Sequence, residues 1–316
     1  MVIDRRQLLI VTAALTGGIV PQNTRPGSLL DEVDADLERL WASYGARDVA
    51  TTARLAGLQL RTLTAIQPPR LSDAASQELL AAQARVGALR ARALIDAGQL
   101  RAGRQAADLA AARATRAGDR HTTAHALATR AAAALFADDP DAAIRAATVA
   151  LQAIPGDPRL LVVSARAFAQ SGNVPHAIGS LDSAQRALDR RGAPVTGPAA
   201  PGTMSRLEFA RAAVDVHARS GLTKRAREIA REMTDAVPRE LAEDTKLALG
   251  ASVAVGLARI DPDEGAATLS RSLEVSATMG RPARAAVERV IAFTEAADPE
   301  QRAVHDLVAL LEAVDV

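Results

Sequence analysis

Small residues recur at a fixed interval in the middle of the chain, and this feature constrains the fold more than any other. In the segments ALATRAAAALFADDPDAAIRAATVALQAIP and RLLVVSARAFAQSGNVPHAIGSLDSAQRAL, Leu127, Ala131, Ala143 and Ala150 return as Leu161, Ala165, Ala177 and Ala184, each 34 residues later. A unit of that length accommodates one pair of antiparallel helices. Two helices approach closely only where neither carries bulk at the crossing, and Ala permits it. One such pair cannot bury its own apolar face, so the units must stack. The expectation is one continuous α-solenoid rather than two domains.

The same frame extends outward through its turns. Gly98, Gly172 and Gly221 fall between a first and a second helix, and Asp138 and Asp261 take the equivalent place. Gly or Asp there suits a tight turn followed by a helix start. Five residues after each comes a small residue: Gly103, Ala143, Ala177, Ala226 and Ala266. Pro155 and Pro238 close their units, because the residue before a proline leaves the helical region. The turn-to-turn spacing is 40, 34, 49 and 40 residues. The longest interval contains RRGAPVTGPAAPGT, residues 190–203, whose Pro and Gly content predicts a loop. Two more helices read over 29–44 and 47–66, and two over about 282–296 and 298–314, for some fourteen helices in seven pairs. The basic run SGLTKRAREIAREM fits this frame as a second helix of its pair.

Composition supports an all-α chain. Ala accounts for 73 of 316 residues, and Ala has the highest helix propensity. Aromatic residues are only 2%, so strands built on aromatic and β-branched clusters are not expected. No cysteine is present, which excludes disulfides, thiolate metal sites and a cysteine nucleophile. A formal net charge of +1 gives no general attraction to nucleic acid. Neither a G-x-G-x-x-G nor a GK[ST] phosphate loop occurs, and no G-x-S-x-G elbow. His121 and His125 have the i, i+4 spacing of a helical metal pair, but Thr122 stands where a zincin has Glu and no third ligand is evident. The expectation is a protein without catalysis, cofactor or metal.

Residues 1–27 read as a separate apolar segment. Arg5 and Arg6 precede thirteen mostly apolar residues, Leu8 to Val20, which is the outline of a twin-arginine export signal. The stretch GGIVPQNTRPG offers no A-x-A cleavage site, and the apolar run is short for a membrane span. The favoured reading is an N-terminal segment of a cytoplasmic protein, partly disordered or a helix packed on the first pair; export or tethering through residues 4–20 is the alternative.

The Ala-rich pairs, turns such as Ala117-Gly118-Asp119, and the junction DRRQLL resemble the tetratricopeptide (TPR) proteins of actinobacteria. They are most similar to the repeat half of helix-turn-helix transcriptional regulators of the XRE type. Residues 4–20 match the junction and 28–316 the repeats, and the DNA-binding head of that family has no match in these residues. The resemblance implies a TPR-like α-solenoid whose first helices line a concave groove. In the repeat frame Arg85, Arg92 and Asp96 face inward from one unit, and His125, Leu135 and Phe136 from the next. Arg159, Arg166 and Gln170 follow, then Glu208, Arg211, Asp215 and Arg219. The implied partner is a protein or peptide carrying acidic groups, held by arginine forks and by an apolar grip at Leu135 and Phe136. The implied role is regulatory or scaffolding, in transcriptional control. The plainer alternative is that these arginines are paired with nearby acids and solvated.

Overall fold

The computed structural model describes residues 26–42, 44, 49–66, 72–195, 203–237, 243–273 and 290–291. Among them are twelve helices and no strand: α1 (Pro26–Ala42), α2 (Val49–Ala65), α3 (Asp73–Asp96), α4 (Leu100–Arg116), α5 (Arg120–Phe136), α6 (Pro140–Ala153), α7 (Pro158–Gln170), α8 (Val174–Arg191), α9 (Arg206–Arg219), α10 (Thr223–Ala236), α11 (Glu243–Ala258) and α12 (Pro262–Leu273). The helices expected over 29–44 and 47–66 are α1 and α2, with α1 shifted toward the N-terminus. The export-like segment 4–20 and, apart from 290–291, the two expected last helices lie outside the described residues.

Helix starts follow from short polar side chains. Asp119, Asp139 and Asn173 each accept a hydrogen bond from the backbone N–H three residues on, and Ser205 with Glu208 forms a capping box. Pro140 and Pro158 occupy the first turns of α6 and α7, where no N–H partner is needed.

Helix ends repeat one device. At Gly98, Gly118, Gly172 and Gly221 φ is 77°, 72°, 77° and 73°, and at Asp138 it is 56°. In each case the following N–H reaches back five residues, as Asn173 does to the Phe168 carbonyl at 2.8 Å and Asp139 to Ala134 at 2.9 Å. This is the left-handed cap that glycine adopts without strain. Asp261 departs from the frame. It is not left-handed; its Oδ1 accepts from the N–H groups of Asp263 and Glu264 and starts α12. The loop also begins later than expected: α8 continues through Arg190 and Arg191 to a left-handed cap at Gly192.

The packing is pairwise. From α3 onward each odd-numbered helix packs on the even-numbered helix after it, and every even-numbered helix packs on the odd-numbered one that follows. Each odd-numbered helix also touches the next odd-numbered helix. The recurring small residues sit at these crossings. Ala143, Ala177 and Ala226 are fully buried, as are Ala131, Ala165, Ala150 and Ala184. Gly103 is the one glycine of that series because a Cβ there would fall 2.4 Å from Ile95 Cγ1. Between α5 and α7 the core is mostly alanine. Larger side chains gather toward the ends: Leu37, Leu40, Trp41, Leu63 and Leu89 among α1–α3, and Leu181, Val214, Ile229 and Met233 among α8–α10.

Candidate functional site

Contact between consecutive odd-numbered helices brings their polar side chains into register. Arg85 on α3 reaches Asp34 on α1, its Nη2 lying 2.7 and 2.9 Å from the two carboxylate oxygens. Arg159 on α7 meets Glu208 on α9 at 3.3 Å and donates from Nε to the Thr203 carbonyl at 2.9 Å. Arg166 on α7 donates from Nε to Asp215 on α9 at 3.1 Å. Asp215 also takes Arg219 from its own helix at 3.0 Å and Arg259, just past α11, at 3.5 Å. Three guanidinium groups, from α7, α9 and the turn after α11, therefore share one carboxylate.

The charges act on one another across the same face. Burial alone raises the Asp215 carboxyl, but Arg166, Arg219 and Arg259 override it and hold it at about 2. Burial lowers Arg211, and the charge of Arg166 pushes in the same direction. Asp96 raises Arg92, with which it pairs at 2.7 Å, and Glu208 on α9 adds to that effect. Burial lowers Arg159; Glu208 offsets part of this, while Arg92 adds to it. Arg92 on α3 thus senses charges on α7 and α9, two and three odd-numbered helices away.

At the α1 end the chain's only tryptophan and only tyrosine close over this face. The Tyr44 hydroxyl donates to Asp96 at 2.7 Å, so Asp96 serves both Tyr44 and Arg92. Trp41 lies 5.5 Å from the Tyr44 ring and meets His125 edge-on at 5.4 Å. His125 is buried, and its Nε2 has no hydrogen-bond partner among the described residues. Burial, then Arg159 and Arg92, hold its pKa down at about 3, so the ring is neutral at ordinary pH. His121 is exposed, so the two histidines of HTTAH occupy different environments. No cluster of three or more metal-type ligands occurs among the described residues.

At the C-terminal ends of α5, α7 and α9 the face opens into a cleft of about 280 Å³. Arg166, Arg219 and Arg259 line it with Asp215, and Leu135 and Phe136 form its apolar side. Leu135 is half-buried against the alanines of α5 and α6, whereas Phe136 is exposed at 38%. Gln170 donates to Asp138 at the mouth and to the Leu135 carbonyl at 3.3 Å.

The repeat frame thus places Arg159, Arg166, Arg211, Asp215 and Arg219 together on α7 and α9. It places Arg85 and Arg92 on α3 and His125, Leu135 and Phe136 on α5. His125 is not an open surface residue but packs under Trp41. Asp34, Trp41, Tyr44 and Arg259 complete the arrangement and are not singled out by the frame. Arg259 has a signal nonetheless: it follows Arg219 by the same 40 residues that separate Gly221 from Asp261.

No protein-family model matches the chain, and no curated protein is significantly similar to it.

Proposed function

We propose that the chain is a TPR-like α-solenoid whose odd-numbered helices line a concave groove, and that it works without catalysis as a regulatory or scaffolding module. Its partner is a protein or peptide segment carrying acidic groups. The observation that carries this reading is the composition of the shared face. Seven arginines (Arg85, Arg92, Arg159, Arg166, Arg211, Arg219 and Arg259) stand there with five carboxylates, Asp34, Asp96, Asp138, Glu208 and Asp215. The excess positive charge is local, because the whole chain is close to neutral at +1. The carboxylates fix the guanidinium groups in place, and a preordered arginine loses less side-chain entropy when it binds. The apolar Leu135 and Phe136 supply a second recognition element beside the charged one.

The resemblance to the repeat half of helix-turn-helix regulators points to a partner in cytoplasmic transcriptional control. Among the described residues no helix is long and apolar enough to cross a membrane. Sequencing the N-terminus of the mature protein from its host tests the compartment: an intact start is expected, and cleavage after the apolar segment contradicts it. The function is tested by replacing Arg159 and Arg166 with Glu and measuring affinity for a partner purified from the host. Binding is expected to fall at least tenfold, and to become less sensitive to salt. Unchanged affinity rules the groove out.

A further inference from the structure

The Asp215 cleft has an unusual allocation of hydrogen-bond donors. Arg166 and Arg219 each give only Nε to Asp215. Neither makes another hydrogen bond to the described residues, so each keeps four N–H groups on Nη1 and Nη2. Both side chains are accessible to solvent, at 32% and 20%, and both line the cleft. Arg259 joins them on the third side. Asp215 therefore acts as a hub that orients the guanidinium groups while consuming few of their donors.

The charge around the cleft is positive. Arg166, Arg219 and Arg259 face Asp215 and the exposed Asp138, and the charge of Arg166 repels that of Arg211. Helix C-termini ordinarily disfavour an anion. Here the Ala134, Phe168 and His217 carbonyls in the last turns of α5, α7 and α9 already accept the turn N–H groups of Asp139, Asn173 and Leu222, which reduces that effect. Phe136 and Leu135 lie beside the arginines, within the same cleft of about 280 Å³.

We propose that this cleft binds a phosphate monoester carried on an aromatic or apolar group, with Asp215 as the fixed counter-charge that aims the arginines at it. Three terminal oxygens and a charge near −2 use the forked donors more fully than a carboxylate with two oxygens does. The organic group then lies against Phe136. Within the groove reading, on which it rests, this assigns the acidic group of the partner to a phosphorylated side chain.

Calorimetric titration of the full chain with phenyl phosphate, inorganic phosphate and phenylacetate tests the assignment. Phenyl phosphate is expected to bind most tightly, inorganic phosphate more weakly, and phenylacetate weakest. Arg219→Gln should weaken both phosphates by about tenfold or more. Phe136→Ala, at an exposed position, should bring phenyl phosphate down to the level of inorganic phosphate and leave the latter unchanged. Failure of both phosphates to bind at millimolar concentration, or binding indifferent to Arg219→Gln, overturns the proposal. Binding of phenylacetate as tight as that of phenyl phosphate also overturns it, and leaves the groove reading standing. Partner binding that ignores Glu at positions 159 and 166 removes the groove reading itself.

Discussion

Arg166 and Asp215 are 49 residues apart in the chain and 3.1 Å apart in space, and Arg159 and Glu208 repeat that relationship at the same interval. The interval is also the spacing from Gly172 to Gly221, so the ion pairs follow the stacking period of the helices. A single offset in register between α7 and α9 would break both pairs together.

Asp215 should be the most sensitive acid on this face. Asp215→Asn leaves three guanidinium groups facing one another and is expected to cost about 2 kcal/mol, part of it recovered by added salt. The Asp215 pKa lies below its ordinary 3.8, at about 2. Its contribution is therefore complete above pH 3.8 and is lost as pH falls toward 2. Urea denaturation across that window should show a steeper acid decline in the native protein than in the variant.

His125 governs stability at milder pH. Its folded pKa of about 3 lies below its ordinary 6.5, so the unfolded chain takes up the proton first. Stability should then fall as pH drops from about 6.5 toward 3, with a slope of up to about 1.4 kcal/mol per pH unit. His125→Phe keeps an aromatic ring beside Trp41 and removes the titration, and should flatten the curve between pH 6.5 and 4. Trp41, the sole tryptophan, reports unfolding by fluorescence. Parallel curves for the two proteins would show that another group is responsible.

Tyr44 offers an optical test of the α1 docking. Burial and the neighbouring Asp96 raise its phenol well above the ordinary 10. As the chain's only tyrosine, it should show no phenolate absorbance near pH 10 in the folded state, and a normal titration in urea. Stability should decline as pH rises past 10, because only the unfolded phenol ionises there. A phenolate signal at the ordinary pH in the folded protein would mean that Tyr44 is not held against Asp96.

The alanine crossings predict a contrast between two identical substitutions. Ala177→Leu, at a fully buried crossing of α7 and α8, should cost about 1–3 kcal/mol by overpacking. Ala112→Leu, exposed on α4, should change stability by no more than about 0.5 kcal/mol. Equal effects in chemical denaturation would remove the packing argument.

The helical pairs were legible because small residues and turn residues obey steric rules that act locally. Gly98, Gly172 and Gly221 mark turns through their φ angles, and Ala143 and Ala177 mark crossings through their size. Asp261 marks its turn and helix start as expected, but as an N-cap rather than a left-handed residue, because Asp suits both and only packing decides between them. Arg159 and Arg166 were legible as members of one face, but their counter-ions depended on the offset between α7 and α9. Trp41 and Tyr44 could not be read as part of that face. They lie near the end of α1, outside the units that define the repeat, and their place depends on how α1 docks on α3.

The most direct test of the account is selection of peptides from a displayed library on the immobilised full chain, beside the variant with Glu at positions 159 and 166. The native chain is expected to enrich acidic peptides with an apolar residue near the acid, and the variant to lose them. Enrichment of the same peptides by both proteins, or of none by the native chain, would contradict it.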